Sequence, residues 1–257
     1  MTDIHAAAQQ GYSVEAHTYA RGRPEYPADL LAWLKNDISI IEGKLVVDVG
    51  AGTGKFTRLL AQTGADVIAV EPVAAMGAQL VKALPAVKFL VGTADAIPLA
   101  TATVDAVVCA QAFHWFATQQ VLAEFHRVLI RDGRLGLIWN VRDESVDWVA
   151  AITEIITPHE GDAPRFYRGD WRKPFTGKYF GPLEKTVSRH QHVGSAQEVI
   201  VDRCLSISFI AVLPDDEKAR VTDQLKTLIA SHPALRDRDS IAFPYLTEAY
   251  RAMRLEV

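Results

Sequence analysis

Residues 46–55 read VVDVGAGTGK. An apolar run that contains one acid, Asp48, is followed by glycine at every second position, 50, 52 and 54. Glycine permits the positive φ angles of a tight turn, and it lets a ligand lie directly against the backbone. The residues from Lys55 onward predict a helix that begins immediately after the turn. A strand, a glycine turn and a helix together form one half of a nucleotide-type binding site.

Three kinds of ligand compete for this turn. The dinucleotide fingerprint Gly-x-Gly-x-x-Gly fits the first two glycines, but Lys55 stands where the third glycine is required. A phosphate-binding P-loop needs Ser or Thr after its Gly-Lys pair, whereas Phe56 follows here and the spacing before the pair is too short. S-adenosylmethionine has no phosphate and carries an ammonium and a sulfonium. The acid Asp48 therefore suits this third ligand better than it suits a pyrophosphate.

Three further apolar runs follow, each of which ends at a candidate binding group. The first ends at Glu71, roughly 20 residues past the glycines, where a carboxylate can accept hydrogen bonds from both ribose hydroxyls. The second leads to Asp95, which can accept from the exocyclic adenine amine, and to Ala96, whose N–H can donate to a ring nitrogen. The third leads into the loop QAFHWF at residues 111–116. The carboxyl ends of parallel strands lie at one edge of a sheet, so these groups are expected to face one ligand.

In their order and spacing, over about residues 40–140, these motifs resemble those of class I S-adenosylmethionine-dependent methyltransferases. A narrower resemblance, to a small-molecule branch that includes trans-aconitate methyltransferase-like proteins, depends on YARGRPEYP at 19–27, QAFHWF at 111–116 and LIWN at 137–140. Resemblance to that branch does not identify the substrate of this chain. The resemblance implies an α/β, Rossmann-like methyltransferase fold. Such a fold has a seven-stranded, mostly parallel sheet, an antiparallel C-terminal strand and a helical cap insertion.

The hydrophobic periodicity predicts strands that alternate with helices up to residue 139, followed by a different pattern. We interpret residues 1–40 as an N-terminal lid and first helix, and 41–257 as the methyltransferase domain. Cap elements are expected at about 158–182 and 195–232. The predicted helices cover about 27–34, 55–62, 74–84, 118–130, 147–156, 195–210 and 215–231. The predicted strands cover 44–49, 65–70, 87–91, 104–110, 134–139, 183–193 and 243–254.

Composition limits the class of protein. A net charge of −4 and a pI of about 6.1 argue against nucleic-acid binding, which usually needs a basic face. Two cysteines are too few for a disulfide framework. Neither a signal peptide nor a membrane-spanning run is evident, which favours a cytoplasmic enzyme, monomeric or homodimeric, with no membrane partner.

The resemblance and the residue chemistry together predict a donor site for S-adenosylmethionine. Met76 either packs in the core or covers the adenine face. Tyr19 and Arg23 belong either to a solvated surface or to a segment that folds over the donor, where they bond its carboxylate or the substrate. The predicted donor-site residues are Tyr19, Arg23, Asp48, Gly50, Ala51, Gly52, Thr53, Gly54, Glu71, Pro72, Met76, Asp95, Ala96 and Gln111.

His114 is the candidate catalytic residue, since it follows strand four where open α/β sheets place their ligands. It either accepts a proton from a substrate oxygen or only positions the donor or substrate by packing and hydrogen bonding. His190 and His192 share one face of a predicted strand, but no third ligand stands at a useful spacing. The sequence therefore predicts no metal.

The predicted reaction is direct displacement of the methyl group by a small-molecule acceptor, for which positioning supplies most of the acceleration. The acceptor atom is expected to be an oxygen, and a carboxylate is favoured because arginines flank the expected pocket. The basic and aromatic loop at 165–173 is a candidate acceptor contact. Two alternatives stay open: a non-catalytic S-adenosylmethionine-binding protein and, with less support, a nicotinamide-dependent oxidoreductase.

Overall fold

The computed structural model describes residues 23–256, and within that range seven strands form one sheet in the order β3-β2-β1-β4-β5-β7-β6. Strands β1 to β5 pair in parallel, and β7 is antiparallel to both β5 and β6. The predicted α/β fold with an antiparallel C-terminal strand is thereby confirmed. The strands are β1 (Leu45–Val49), β2 (Asp66–Val70), β3 (Lys88–Leu90), β4 (Val104–Ala110), β5 (Leu129–Arg142), β6 (Glu184–Gly194) and β7 (Ile241–Met253).

Helices connect most of the parallel strands, a loop connects β3 to β4, and further helices build the cap. The helix after β4 begins at a Thr118 cap, whose hydroxyl accepts a hydrogen bond from the Val121 N–H at 3.2 Å. A π-helical turn, Gln197–Asp202, precedes the short helices of the cap. The α-helices are α1 (Asp29–Asn36), α2 (Lys55–Ala61), α3 (Ala74–Ala83), α4 (Gln119–Val128), α5 (Asp147–Ile156), α6 (Arg203–Leu205), α7 (Ser208–Ala211) and α8 (Asp215–Ser231).

Two elements differ from the sequence prediction. The strand predicted over 134–139 instead begins at Leu129 and contains a bulge, because Val104 pairs with Leu129 whereas Ala106 already pairs with Arg134. The helix expected over 195–210 is divided into the π-helical turn, α6 and α7. Periodicity alone cannot detect either feature, because each depends on backbone pairing or hydrogen bonding and not on the spacing of apolar residues.

Both faces of the sheet are covered, as parallel sheets require. Neighbouring residues of β1 alternate between the two layers: Val46 packs with Leu34 of α1 and Leu60 of α2, and Val47 packs with Phe125 of α4. The helix α1 thus shares a hydrophobic cluster with the sheet. The domain boundary at residue 40 stays a prediction.

The cap has a hydrophobic core of its own. Trp148 and Ile152 of α5 pack with Val199 of the π-helical turn, Leu225 of α8 and Phe243 at the start of β7. This cluster ties the segments on either side of β6 to the end of the sheet where the carboxyl ends of β1, β4 and β5 lie. Within the described residues, no helix combines the length and the apolar character that crossing a bilayer demands.

Candidate active site

The glycine turn after β1 has the backbone shape that the sequence predicted. Gly50 has a φ of 73°, Gly52 of 57° and Gly54 of 84°, values that side-chain-bearing residues rarely adopt. A Cβ added at Gly50 would lie 2.9 Å from the Cβ of Ala112, whereas one added at Gly52 would meet only the Met76 sulfur, at 3.8 Å. Gly50 is therefore required by packing, and Gly52 presents bare backbone to open space.

We expect Gly52→Ala to weaken binding of the donor product S-adenosylhomocysteine by about tenfold or more, because a methyl group would stand where the predicted donor site places a ligand against the backbone. The positive φ adds a stability cost of about 1–2 kcal/mol. Gly43→Ala is the matched control, since Gly43 also has a positive φ, 79°, and room for a Cβ. Calorimetry that finds equal product affinity in the two variants would show that the turn does not touch the ligand.

A cavity of about 560 Å³ opens over the glycine turn; it is called the turn cavity below. It contains seven of the predicted donor-site residues. They are Arg23, Asp48, Gly50, Ala51, Gly52, Thr53 and Gln111. The other lining residues are Pro24, Tyr26, Lys55, Phe56, Ala110, Asn140 and Arg203.

Asp48 contributes a buried carboxylate to the turn cavity, with 1% of its surface exposed. Its Oδ2 accepts a hydrogen bond from the Thr57 hydroxyl at 2.7 Å, while Oδ1 has no hydrogen-bond partner among the described residues. Burial raises the pKa of Asp48 to about 7, against the hydrogen bond from Thr57 and together with the negative charge of Glu71. An unsatisfied buried carboxylate oxygen is costly unless a cation or a donor meets it. The side chain thus fits a cationic ligand.

Glu71 joins the glycine turn to the end of β2. Its two carboxylate oxygens accept hydrogen bonds from the Gly52 N–H at 3.0 Å and the Val73 N–H at 2.9 Å. Burial raises the pKa of Glu71, and these two hydrogen bonds partly offset that effect. A carboxylate has about four acceptor positions, so two stay open for a ligand's hydroxyls. The predicted ribose role is compatible with this geometry and stays a prediction.

The remaining predicted donor residues lie outside the lining of the turn cavity. Met76 is buried beside Gly52, which leaves both of its interpretations open. The Ala96 N–H donates to the Thr93 carbonyl at 3.2 Å, and the Thr93 hydroxyl donates to Asp95 at 2.6 Å. A donor contact by Ala96 would have to share that hydrogen bond. Pro72 and Gly54 do not line the turn cavity either, and Tyr19 lies outside the described residues.

A second cavity, of about 740 Å³, adjoins the first and is called the arginine cavity below. The two share Arg23, Gln111, Asn140 and Arg203. Gln111 has a φ of 61°, an uncommon value for a side-chain-bearing residue, at the carboxyl end of β4 where the cavities meet. Such strained positions concentrate at ligand sites. The arginine cavity is further lined by His114, Trp115, Trp139, Val141, Arg142, Glu144, Arg165, Phe166, Tyr167, Ile207 and Ser208.

Four arginines and one carboxylate, that of Glu144, line the arginine cavity. Arg203 is only 9% exposed, and its Nε and Nη1 have no hydrogen-bond partner among the described residues. Burial lowers the pKa of Arg203, and the positive charges of Arg23 and Arg142 lower it further. Burial and Arg142 likewise lower the pKa of Arg165 to about 10. The cavity therefore carries an excess of buried positive charge.

The loop over the arginine cavity is held by Glu160, a buried carboxylate. Tyr167 and Arg168 donate to Glu160, and Arg165 lies 3.6 Å from it. The guanidinium of Arg165 also lies over the Phe209 ring of α7, at 4.8 Å. These contacts fix Arg165 at the cavity wall.

The candidate loop at 165–173 has mixed roles. Arg165, Phe166 and Tyr167 line the cavity, as expected of acceptor contacts. Trp171 is instead part of the hydrophobic core, and Arg172 donates to the Tyr250 hydroxyl at 2.7 Å. The pattern of basic and aromatic residues did not separate these two groups.

His114 lies in a short 3-10 turn, Phe113–Trp115, at the wall of the arginine cavity. The Trp139 indole N–H donates to its Nδ1 at 3.1 Å. Burial lowers the pKa of His114 to about 3, and the positive charges of Arg165 and Arg23 act in the same direction. The imidazole is thus neutral at physiological pH.

Residues 23–26 lie against the turn cavity, which Arg23, Pro24 and Tyr26 line, and Arg23 lines the arginine cavity as well. The Arg23 side chain donates to the Ser206 carbonyl at 3.1 Å, and Asn140 donates to the Glu25 carbonyl at 3.1 Å. Lys55 donates to the Arg23 carbonyl and lies 3.3 Å from the Glu25 carboxylate. Lys55, the first residue of α2, therefore anchors this segment. It stands where the dinucleotide fingerprint requires its third glycine.

Sequence reasoning missed several lining residues, among them Lys55, Asn140, Arg142 and Arg203. Asn140 and Arg142 end β5, and the carboxyl end of a parallel strand was a usable signal for them. Arg203 carried no such signal, because it follows the π-helical turn of the cap. Within residues 23–256, no group of three or more His, Cys, Asp or Glu side chains could hold a metal, His190 and His192 included, and the metal-free prediction stays a prediction.

The chain is similar over most of its length to proteins of several organisms. An uncharacterized methyltransferase-like protein of Schizosaccharomyces pombe is 36% identical over 93% of each chain. An uncharacterized methyltransferase of Mycobacterium tuberculosis is 40% identical over 91% of each chain. A family model described as a methyltransferase domain matches residues 47–137. The chain belongs to the class I S-adenosylmethionine-dependent methyltransferases.

Solved structures agree with this methyltransferase fold. The YcgJ protein of Bacillus subtilis superposes with a TM-score of 0.58 at 17% identity, covering 90% of this chain and all of that one (100%). A geranyl diphosphate methyltransferase in complex with S-adenosylmethionine superposes with a TM-score of 0.51 at 14% identity, covering 88% of this chain and 85% of that one. At such identities the likeness concerns the fold alone. Family membership, with the identities above, decides against the nicotinamide-dependent alternative.

Proposed function

We propose that this methyltransferase transfers a methyl group to an oxygen of a small anionic acceptor, and that the oxygen belongs to a carboxylate. When bound, S-adenosylmethionine supplies a methyl group on a sulfonium, which is already activated for displacement. The turn cavity is the proposed donor site, and the arginine cavity is the proposed acceptor site. The observation that carries the proposal is Arg203, a buried guanidinium at the wall shared by both cavities, two of whose nitrogens have no partner among residues 23–256.

The donor half of the proposal is supported by Asp48 and the glycine turn. The unpartnered Oδ1 of Asp48 suits the donor's ammonium or sulfonium, because a buried carboxylate gains from a cation in a region of low dielectric. The bare backbone at Gly52 leaves room for a nucleoside, and Glu71 stands beside it with open acceptor positions. Gln111 would then lie where the donor meets the acceptor.

The acceptor half is supported by charge. Arginine suits a carboxylate because its planar fork makes two parallel hydrogen bonds, and such charge-assisted bonds are about twice as strong as neutral ones. Four arginines, Arg142, Arg165, Arg203 and Arg23, line this cavity. Glu144 lies 4.0 Å from Arg142, and Glu160, which is outside the lining, lies 3.6 Å from Arg165. The excess of positive charge favours an acceptor with more than one anionic group. One group would be held by the arginines while another faces the donor.

A carboxylate acceptor also matches the state of His114. A carboxylate is already ionised at neutral pH, so its oxygen attacks without losing a proton, and the chain need not supply a base. The neutral imidazole and the arginines would instead orient the acceptor for in-line approach. Orientation of this kind can supply most of the acceleration.

The proposal is tested with labelled donor and a panel of small mono-, di- and tricarboxylates, each paired with its neutral amide. We expect the label in a methyl ester of a di- or tricarboxylate, identified by mass and released as methanol by mild alkali. Neutral amides should give no product, because they cannot replace the anion in the arginine cavity. A labelled product that withstands alkali, or turnover of amides as fast as acids, would contradict a carboxylate acceptor.

A further inference from the structure

We propose that His114 positions the acceptor as a neutral hydrogen-bond donor through its Nε2–H, and that Trp139 fixes the ring in this tautomer. The inference rests on the proposed function, because it assigns a role to one wall of the acceptor cavity. It excludes the general-base interpretation of His114. It also makes Trp139 a positioning residue, which acts through His114.

The tautomer follows from the chemistry of the Trp139 contact. An indole N–H can only donate, so the His114 Nδ1 that receives it at 3.1 Å must present a lone pair. A proton on Nδ1 would place two hydrogens against each other. A neutral imidazole whose Nδ1 is an acceptor carries its hydrogen on Nε2. The ring therefore has no free lone pair with which to take a proton from a substrate.

Packing holds both rings in place. Trp139 is 1% exposed, and its ring centroid lies 4.6 Å from that of Phe166 and 4.6 Å from that of Trp171. His114 is confined by the 3-10 turn and by the Trp115 ring, whose centroid lies 5.2 Å away. The indole N–H therefore has a fixed direction, and the imidazole has a fixed partner.

The surrounding charges favour the same protonation state. Arg165 and Arg23 act on the ring directly, and the other charged groups of the cavity are Arg142, Arg203 and Glu144. The four arginines outnumber the two nearby carboxylates, Glu144 and the Arg165 partner Glu160, and oppose an imidazolium, in agreement with a His114 pKa of about 3. A neutral donor faces no such penalty. It can bond one oxygen of an acceptor carboxylate while the other oxygen is free to attack.

Nitrogen NMR of protein labelled with ¹⁵N-histidine reads the tautomer without any acceptor. We expect the His114 ring to stay neutral, with its hydrogen on Nε2, from about pH 5.5 to about pH 9. A His114→Gln spectrum assigns the signals. Trp139→Phe removes the indole donor, so the ring hydrogen of His114 should then occupy Nδ1 as well as Nε2. Trp171→Phe, which removes an indole from the same cluster, should leave the hydrogen on Nε2. A hydrogen on Nδ1, or titration of the ring in this pH range, would overturn the proposal even if the acceptor class is right.

Kinetics of two His114 variants give a second readout. A Gln side chain offers both an amide oxygen for the Trp139 N–H and an N–H for the acceptor, whereas Ala offers neither. We expect His114→Ala to raise the acceptor KM by about tenfold or more and His114→Gln to recover most of that loss, with a parent kcat that is flat from about pH 6 to about pH 9. S-adenosylhomocysteine affinity in each variant reports folding separately. Equal losses in Gln and Ala, with a parent kcat that falls below about pH 7 even when donor and acceptor are both saturating, would assign a base instead.

Discussion

Asp48→Asn is expected to weaken S-adenosylhomocysteine binding by about 100-fold or more and to stabilise the ligand-free protein at pH 8. The lost affinity follows from the unpartnered Oδ1, which the donor's cationic ammonium would meet in a buried setting. The gained stability follows from burial, since Asn carries no charge to desolvate and can still accept the hydrogen bond from Thr57. A binding residue that costs stability is a common trade-off at functional sites.

The contribution of Asp48 to folding stability depends on pH, and the sign of this dependence follows from the direction of its pKa shift. The pKa of Asp48 rises from 3.8 to about 7 on folding, so the folded state binds this proton more tightly than the unfolded state. The stability of the parent should therefore fall as the pH rises from about 4 to about 7, and the loss is complete above that range. At 1.36 kcal/mol per pKa unit, the cost at pH 8 is about 4 kcal/mol, and Asp48→Asn should remove most of it.

Donor affinity should show the opposite trend in the parent. Only the ionised Asp48 attracts a cation, so affinity should rise by about tenfold per pH unit as the pH increases toward about 7, and then level off. The Asn variant should bind weakly and without this dependence. Calorimetry between about pH 5.5 and about pH 8.5, with denaturant unfolding at the same pH values, measures both effects.

Asp105→Asn is the matched control for Asp48→Asn. Burial raises the pKa of Asp105, but the hydrogen bonds from the Leu45 N–H and from Lys44, at 2.9 Å each, outweigh burial and hold the pKa below its usual range. This variant should therefore lose stability above about pH 4 and leave product affinity unchanged. If both Asn variants lost product affinity equally, or if Asp48→Asn lost stability, Asp48 would be a structural acid and not a donor contact.

The geometry of the turn cavity, the proposed donor site, could be predicted from the sequence because its signals are local. A strand, a glycine turn and an acid lie within ten consecutive positions, 46–55, and their geometry follows from φ angles that glycine adopts readily. Glu71 ends the next strand, and parallel pairing of β1 with β2 brings it to Gly52. The contact therefore follows from strand order, which the alternating pattern predicts.

The acceptor half could not be predicted in the same way, since it is assembled from segments far apart in the chain. Arg203 and Arg23 are separated by 180 positions in the sequence, yet both line the two cavities. A π-helical turn directly precedes Arg203, and nothing in the apolar pattern indicates such a turn. Within the loop at 165–173, Arg165 and Arg168 both contact Glu160, but of these two only Arg165 has a position that lines the cavity. That position depends on tertiary packing.

Arg165→Met is expected to lower kcat/KM for the anionic acceptor by about 100-fold, mainly through KM, with little change in product affinity. Arg165 lines the arginine cavity but not the turn cavity, so its loss separates acceptor binding from donor binding. Methionine keeps much of the length and apolar surface that packs over Phe209, at 4.8 Å from the guanidinium carbon. Steady-state rates against both substrates and calorimetry with S-adenosylhomocysteine test this expectation.

Arg168→Met supplies the control, because it removes the same charge from the same loop and from the same partner, Glu160, without touching either cavity. If loop order alone mattered, the two variants would lose activity equally, since both break a contact to Glu160. A loss of kcat/KM confined to Arg165→Met would instead assign the effect to the cavity. That loss should be smaller for an acceptor with fewer anionic groups. A loss of the same size for neutral and anionic acceptors would mean that the arginine cavity is not an anion site.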